Sequence, residues 1–297
     1  MKFSDFLDSR GICYIRDFET KRMSSIRVGG NADYVVYPKT SSELMESVEI
    51  ASQMGVRYKI IGGCTNCFFS SDGFCGVIIS TARMAELNIS SDGNIFAEAG
   101  AKLSKTIAIA ADRGLELPAE LFGIPGSIGG AVRNNAGAFG KEIKDIFLEG
   151  DFYCTKTNEV KTLTAHDLMF SYRDSLLHRR DIILLRAKLS AISCDSRLQK
   201  IKMRYYVEKR RREQPTEPSL GSFFKRHGDI SAAWYIDNAG LKGVSLNDAQ
   251  ISKKHAGFLI NNGSATSDEV IRLANMVSQA VYEKYQVRLI TEAEYIN

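Results

Sequence analysis

Residues 123–140 read GIPGSIGGAVRNNAGAFG. Gly123, Gly126, Gly129, Gly130, Gly137 and Gly140 stand among the apolar residues Ile124, Ile128, Ala131, Val132, Ala136, Ala138 and Phe139. Flexible linkers combine glycine with serine and other polar residues, not with a run of this apolarity. The segment is therefore expected to pack against something flat. Pro125 stiffens its first turn, and Ser127, Asn134 and Asn135 offer hydrogen bonds. A dinucleotide carrying an aromatic ring system fits these properties. A G-x-G-x-x-G repeat at a strand–helix junction is missing, which disfavours a Rossmann site.

A second glycine turn lies upstream, in IIGGCTNCFFS (60–70). The apolar run YKII (58–61) predicts a short strand running into Gly62-Gly63. Cys64 and Cys67 have the spacing of a metal site, a redox disulfide or an iron–sulfur cluster. A structural zinc needs four ligands, usually as two close pairs. Cys75 is the nearest further thiol, and His166, His178, His227 and His255 are distant in sequence. A redox pair should open a helix, whose N-terminus lowers the thiol pKa, and FFSSDG does not continue as one. Successive backbone N–H groups after Gly-Gly suit an anionic oxygen instead. The simplest reading of the cysteines is that the turn needs small residues. No metal is expected.

The chain has 297 residues, 44% hydrophobic and 25% charged, enough for one large or two ordinary soluble domains. No apolar run reaches the roughly 20 residues of a membrane span. MKFSDFLDSRG is too polar to expect a signal peptide. A cytoplasmic location is expected, with the six cysteines mostly reduced. The net charge of +4 suits an anionic small ligand as well as a nucleic acid.

Strands are predicted at 34–37, 58–61, 77–80, 95–98, 147–153 and 182–189. Helices are predicted after a cap at Thr40, Ser41 or Ser42, over 102–113, over 196–213, over 229–240 with Asp229 as cap, and over 266–286 with Thr266 and Glu269 as a capping box. Strand–helix passages flanking both glycine turns predict an α+β or α/β nucleotide-binding body. A change in composition near 192–215 marks the expected boundary to a small mixed second domain.

The motif order resembles the UDP-N-acetylenolpyruvoylglucosamine reductase (MurB) family. RVGG (27–30), the turn at 61–66, the segment 123–140, SYRDS (171–175), GSFFK (221–225), AGLKG (239–243) and KHAGFLIN (254–261) occur in family order. The resemblance runs from about residue 24 to the C-terminus. It implies an α+β fold, with a vanillyl-alcohol-oxidase (PCMH)-type FAD-binding domain of two subdomains and a smaller α+β substrate domain. Applied here, this gives an N-terminal segment (1–20), an FAD domain (21–192) and a substrate domain (193–297), whose last residues return to the active site.

The implied reaction is NADPH-dependent reduction of UDP-N-acetylglucosamine enolpyruvate to UDP-N-acetylmuramate for peptidoglycan. Hydride passes from flavin N5 to the enolpyruvyl methylene carbon. By this resemblance Gly62, Gly63, Cys64, Thr65, Asn66, Gly123, Ile124, Pro125, Gly126, Ser127, Gly129, Gly130, Asn135 and Gly137 hold non-covalent FAD. Ser222 donates the proton, Arg173 stabilises the enolate, and Glu292 donates to the developing oxyanion. Glu294 is the rival if the register slips by two. Tyr172, Lys225 and His255 are implied substrate contacts, with one of Arg210, Arg211 and Arg212 meeting the diphosphate. Cys64 occupies a slot where the family usually has Gly or Ser. No tyrosine-bearing insertion is seen between 173 and 215, as in the family's shorter type. No nucleic acid, membrane or obligate protein partner is expected.

Three rival readings make different predictions. Another flavoenzyme of this fold would keep the glycine segments but not GSFFK with KHAGFLIN. A nucleic-acid module would use the basic 196–212 helix with Tyr205 and Tyr206, and would bind with steep salt dependence. A metal-binding regulator would use Cys64, Cys67 and Cys75.

Overall fold

The computed structural model describes residues 3–179 and 181–297, so residues 1 and 2 of the expected N-terminal segment lie outside them. The chain forms two compact units, neither of them a consecutive stretch. Unit one comprises the chain up to Arg16, Tyr34–Gly63 and Gly76–Glu208; unit two comprises Asp17–Asp33, Cys64–Cys75 and Lys209–Asn297.

Unit one holds two separate apolar cores. In the first, helix α1 (Phe3–Arg10) buries Phe3 and Leu7, and helix α2 (Ser41–Gln53) buries Leu44, Val48 and Ala51. Thr40 caps α2 by accepting from the Glu43 N–H at 3.2 Å, which satisfies one of the helix's orphan donors. These helices share a core with Val77 and Ile79 of strand Phe74–Ser80, which runs parallel to Tyr58–Ile61 with Tyr58 opposite Val77.

The second core lies against a five-stranded antiparallel sheet. Its order is Glu159–Thr164, Phe147–Cys154, Ile182–Leu189, Ile95–Glu98, Leu87–Ile89. Helix α3 (Leu103–Asp112) contributes Ile107 and Ala110, and Gly114, at φ 69°, turns the chain away after it. Helix α4 (Ile128–Arg133) contributes Ile128 and Val132 to the same core.

Helix α5 (Ser196–Glu213) matches its predicted span, but its residues up to Glu208 belong to unit one, not to a second domain. The Gln199 amide donates to the Leu117 carbonyl at 2.6 Å and Met203 is buried. Lys200 pairs with Asp112 and Lys202 with Glu116. Those lysines serve the surface of their own unit.

Unit two is built on an antiparallel sheet in the order Ser219–Ser222, Phe258–Asn261, Ala249–Ile251, Ser245–Leu246, with helices α6 (Ala232–Asn238) and α7 (Ser267–Tyr285). The short strand Cys67–Phe69 pairs in parallel with Glu294–Ile296. Helix α6 starts later than predicted. Asp229 lies in a turn closed by reciprocal His227–Ile230 main-chain bonds, and Ser231 is the cap. The Thr266–Glu269 capping box of α7 is present, and Val270, Leu273, Val277 and Val281 face the core. No helix among the described residues is long and apolar enough to cross a membrane.

Leu273 is fully buried and Thr266 holds only the helix start. Leu273→Ala is expected to lose about 2–5 kcal/mol and Thr266→Ala about 1 kcal/mol. Denaturant midpoints read by circular dichroism check both, and an inverted order would contradict this packing.

Candidate functional site

In unit one the two glycine turns meet. A Cβ on Gly62 would collide with Ser127 Oγ, and one on Gly63 would lie 2.7 Å from Gly126 Cα. Only bare backbone allows this approach. Ser127 Oγ accepts from the Gly130 N–H at 3.3 Å and so caps α4. The Ile128 and Gly129 N–H groups donate to Ala101 and Ala99 carbonyls, each at 2.8 Å. Gly129 is needed because a Cβ there would sit 3.1 Å from the Ala99 carbonyl oxygen. The N–H groups of 128–130 are thus committed within the unit. Ser104 Oγ tethers the preceding loop, accepting from Gly123 and donating to the Ile124 carbonyl. Gly63, Gly123 and Pro125 are exposed, and Gly126 half-buried. This narrow, side-chain-poor surface fits the close approach of a pyrophosphate.

Arg173 stands at the tip of a tight hairpin in which Ser171 and Asp174 bond reciprocally through their main chains. Its backbone is left-handed, at φ 53°. Its Nη2 donates to the Gly137 carbonyl at 2.9 Å, and its guanidinium lies 5.4 Å from the Tyr172 ring centroid. A Cβ on Gly137 would meet Glu142 Cγ at 2.7 Å and Arg173 Nη1 at 3.3 Å. Gly137 therefore makes room for the arginine. Asn135 is fully buried and its amide is engaged inside the unit.

In unit two, Gly221 (φ 75°) interrupts the strand register before Ser222, which is exposed and opposite Phe258. The Phe223 N–H donates to Gly257, and the Phe223 carbonyl accepts from the Glu292 N–H at 2.8 Å. Asn66 Nδ2 donates to the Glu292 carbonyl at 3.0 Å, while the Asn66 carbonyl accepts from Glu294. Glu292 is thus one residue from Ser222 through a main-chain bond, and its Oε2 is buried. Glu294 lies one step on, in the strand opposite Cys67. The Lys225 N–H donates to Ile290.

His255 Nδ1 accepts from the Gly257 N–H at 3.1 Å, which places a neutral ring's proton on Nε2. Burial lowers its pKa, so the ring is neutral at pH 7. Arg210 is half-buried, and burial also lowers its guanidinium pKa. Arg211 and Arg212 are exposed.

Cys64 takes a left-handed backbone at φ 49°, and its Sγ lies 3.5 Å from Cys67 Sγ. The contact with Cys67, and then burial, push its thiol pKa well up. Such a thiol is a poor nucleophile. No group of three or more His, Cys, Asp or Glu able to hold a metal occurs among the described residues.

Ser175 was included in SYRDS in the sequence reading but was given no role. It is fully buried and donates to the Arg133 carbonyl at 2.8 Å. Two motif residues prove internal to unit two. Asn261 Nδ2 donates to the Ile26 carbonyl at 2.9 Å, and Gly30 leaves room for Ser71 and Gly73. The clue to Ser175 was its place at the closing end of SYRDS.

Comparison with known proteins bears on both units. Residues 32–163 match the FAD binding domain family, and residues 214–296 match the C-terminal domain of UDP-N-acetylenolpyruvoylglucosamine reductase. The chain is 38% identical to the UDP-N-acetylenolpyruvoylglucosamine reductase of Caldicellulosiruptor bescii, over 100% of this chain and 95% of that one. It is 36% identical to the protein of that name from Lactobacillus delbrueckii subsp. bulgaricus, over 100% and 99%. The crystal structure of UDP-N-acetylenolpyruvylglucosamine reductase (MurB) from Thermus caldophilus superposes with a TM-score of 0.82 at 26% identity, covering 96% of this chain and 99% of that one. Physcomitrella patens BBE-like 1 shares the fold over 65% of this chain and 45% of that one, with a TM-score of 0.54 at 19% identity. The fold is thus the expected α+β, vanillyl-alcohol-oxidase (PCMH)-type, and the cofactor is FAD. With glycine turns that suit a pyrophosphate and family sequence along its whole length, the chain belongs to the UDP-N-acetylenolpyruvoylglucosamine reductases, FAD-dependent oxidoreductases.

Proposed function

We propose that this chain reduces UDP-N-acetylglucosamine enolpyruvate to UDP-N-acetylmuramate with NADPH. The observation that carries the reading is the bond between the Phe223 carbonyl and the Glu292 N–H, which puts the chain's expected proton donor and expected acid on adjoining backbone. Bound FAD would supply hydride chemistry between NADPH and the enolpyruvyl methylene carbon. Gly62, Gly63, Cys64, Thr65 and Asn66, with Gly123, Ile124, Pro125, Gly126 and Ser127, would hold it. Gly129 acts by letting α4 pack close against Ala99.

Arg173 binds the substrate carboxylate and stabilises the charge that builds there, for which a fixed guanidinium is geometrically suited. Ser222 hands its proton to the carbon next to the reduced methylene. Glu292, rather than Glu294, donates to the oxyanion, since it is the residue bonded to Phe223. Among the three arginines we assign the diphosphate to Arg210, because a half-desolvated guanidinium gains most from an anionic partner. His255, being neutral, offers the nucleotide-sugar a hydrogen bond through Nε2 and no charge. Tyr172 orients Arg173 through its ring face, and Lys225 contributes a cation beside Ser222.

The reading is tested by the visible spectrum of the holoenzyme under anaerobic NADPH, then after adding the enolpyruvyl nucleotide-sugar. Bleaching followed by recovery is expected; bleaching without recovery would reject this substrate. Ser222→Ala should bleach normally and recover about 10²–10⁴-fold more slowly, the range of a lost general acid. Unchanged recovery would remove Ser222 from the chemistry. A second pair of variants probes the FAD turn through the flavin-to-protein absorbance ratio. Gly63→Ala should purify largely without flavin, because its Cβ meets Gly126. Cys64→Ser should keep it, and flavin loss there would give the thiol a role.

A further inference from the structure

We infer that Asn135 is a positioning residue for Arg173, acting on the hairpin that carries the arginine and not on FAD. The inference rests on the catalytic reading of Arg173 given above. Asn135 has no exposed surface, and both of its amide protons are spent. Nδ2 donates to the Ser171 carbonyl at 2.9 Å and to Glu142 Oε2 at 3.0 Å, and Oδ1 accepts from the Lys144 N–H at 3.0 Å. A buried amide so engaged has no donor left for a cofactor.

Its partners explain its placement. Ser171 opens the hairpin and Ser175 closes it. Asn135 holds the first end, while Ser175, itself fully buried, ties the second end to the Arg133 carbonyl at 2.8 Å. Both anchors lie at the C-terminal end of α4, at Arg133 and two residues beyond. The tip is then seated on the following residues, where the Gly137 carbonyl takes Arg173 Nη2. Asn135 itself sits at φ 39°, a left-handed conformation that asparagine tolerates better than most residues. Its side chain thereby turns inward toward the hairpin.

Asparagine is required by the chemistry of this contact. Aspartate has the same shape but no amide protons. It would set a carboxylate against a carbonyl oxygen and the Glu142 carboxylate, so the hairpin would lose its tether and meet repulsion. Displacing a positioned group by about 1 Å can cost about 10²-fold in rate.

The experiment is a cycle of Asn135→Asp, Arg173→Ala and the double variant in the holoenzyme. Flavin content, flavin reduction by NADPH and flavin reoxidation by the enolpyruvyl nucleotide-sugar are each followed by stopped-flow absorbance. Asn135→Asp should keep its flavin and its reduction rate, and should reoxidise about 10²-fold more slowly at saturating substrate. The same change should cost nothing further once Arg173 is alanine, since a residue acting only through Arg173 cannot add to its loss.

Loss of flavin from Asn135→Asp, or an additive double variant, overturns the inference. So does normal reoxidation in Asn135→Asp when Arg173→Ala is slow. Normal reoxidation in Arg173→Ala overturns the catalytic reading itself, and this inference with it. If Asn135→Asp does not fold, Ser175→Ala takes its place in the cycle, and additivity there overturns the inference equally.

Discussion

Unit one depends on two backbones touching where Gly63 lies against Gly126. A side chain on Gly63 would meet Gly126, Gly126 itself sits at φ 124°, which favours glycine, and each turn is fixed from behind. Strand Tyr58–Ile61 brings the first, registered on Phe74–Ser80. Helix α4 brings the second, clamped by the Ala99 and Ala101 carbonyls. The parts of the segment 123–140 then have different duties. Residues 123–127 offer main chain to a ligand, 128–133 form a helix that fills the core, and 135–137 support the arginine hairpin. One stretch thereby ties the glycine turn to the placement of Arg173.

Much of this was legible locally. Thr266 and Glu269 announced one helix start, and Thr40 was among three candidate caps for another, through chemistry that needs only three or four neighbouring residues. Runs such as YKII and IFAE became strands with the ends their side chains implied. Helix α4 was hidden because Gly129 and Gly130 carry low helix propensity. Its formation rests on tertiary contacts with Ala99 and Ala101 that no local pattern encodes.

The interleaving of the units was hidden for the same reason. Residues 17–33 and 64–75 belong with the C-terminal part through long-range bonds, such as Ser25 Oγ to the Ser219 carbonyl and Cys67–Phe69 beside Glu294–Ile296. In the candidate site, motif order named residues but not how each side chain is held. Asn135 stands in a cofactor segment, yet its amide faces inward. Asn66 stands in the FAD turn, yet its side chain holds the Glu292 carbonyl. The paired cysteines, so prominent in the sequence, form a close thiol contact that, together with burial, pushes the Cys64 thiol pKa up.

The hairpin pinned at Ser171 and Ser175 also bears on the entropy of binding. A guanidinium on a loose loop would have to give up backbone and rotamer freedom when the substrate carboxylate arrives, about 1–2 kcal/mol for each ordered residue and up to about 2 kcal/mol for the side chain. Here the left-handed backbone at Arg173 and the bond to Gly137 impose that order during folding. In the role proposed for Arg173, association can then draw on nearly the full strength of an ion pair with the carboxylate, because the geometry is already set.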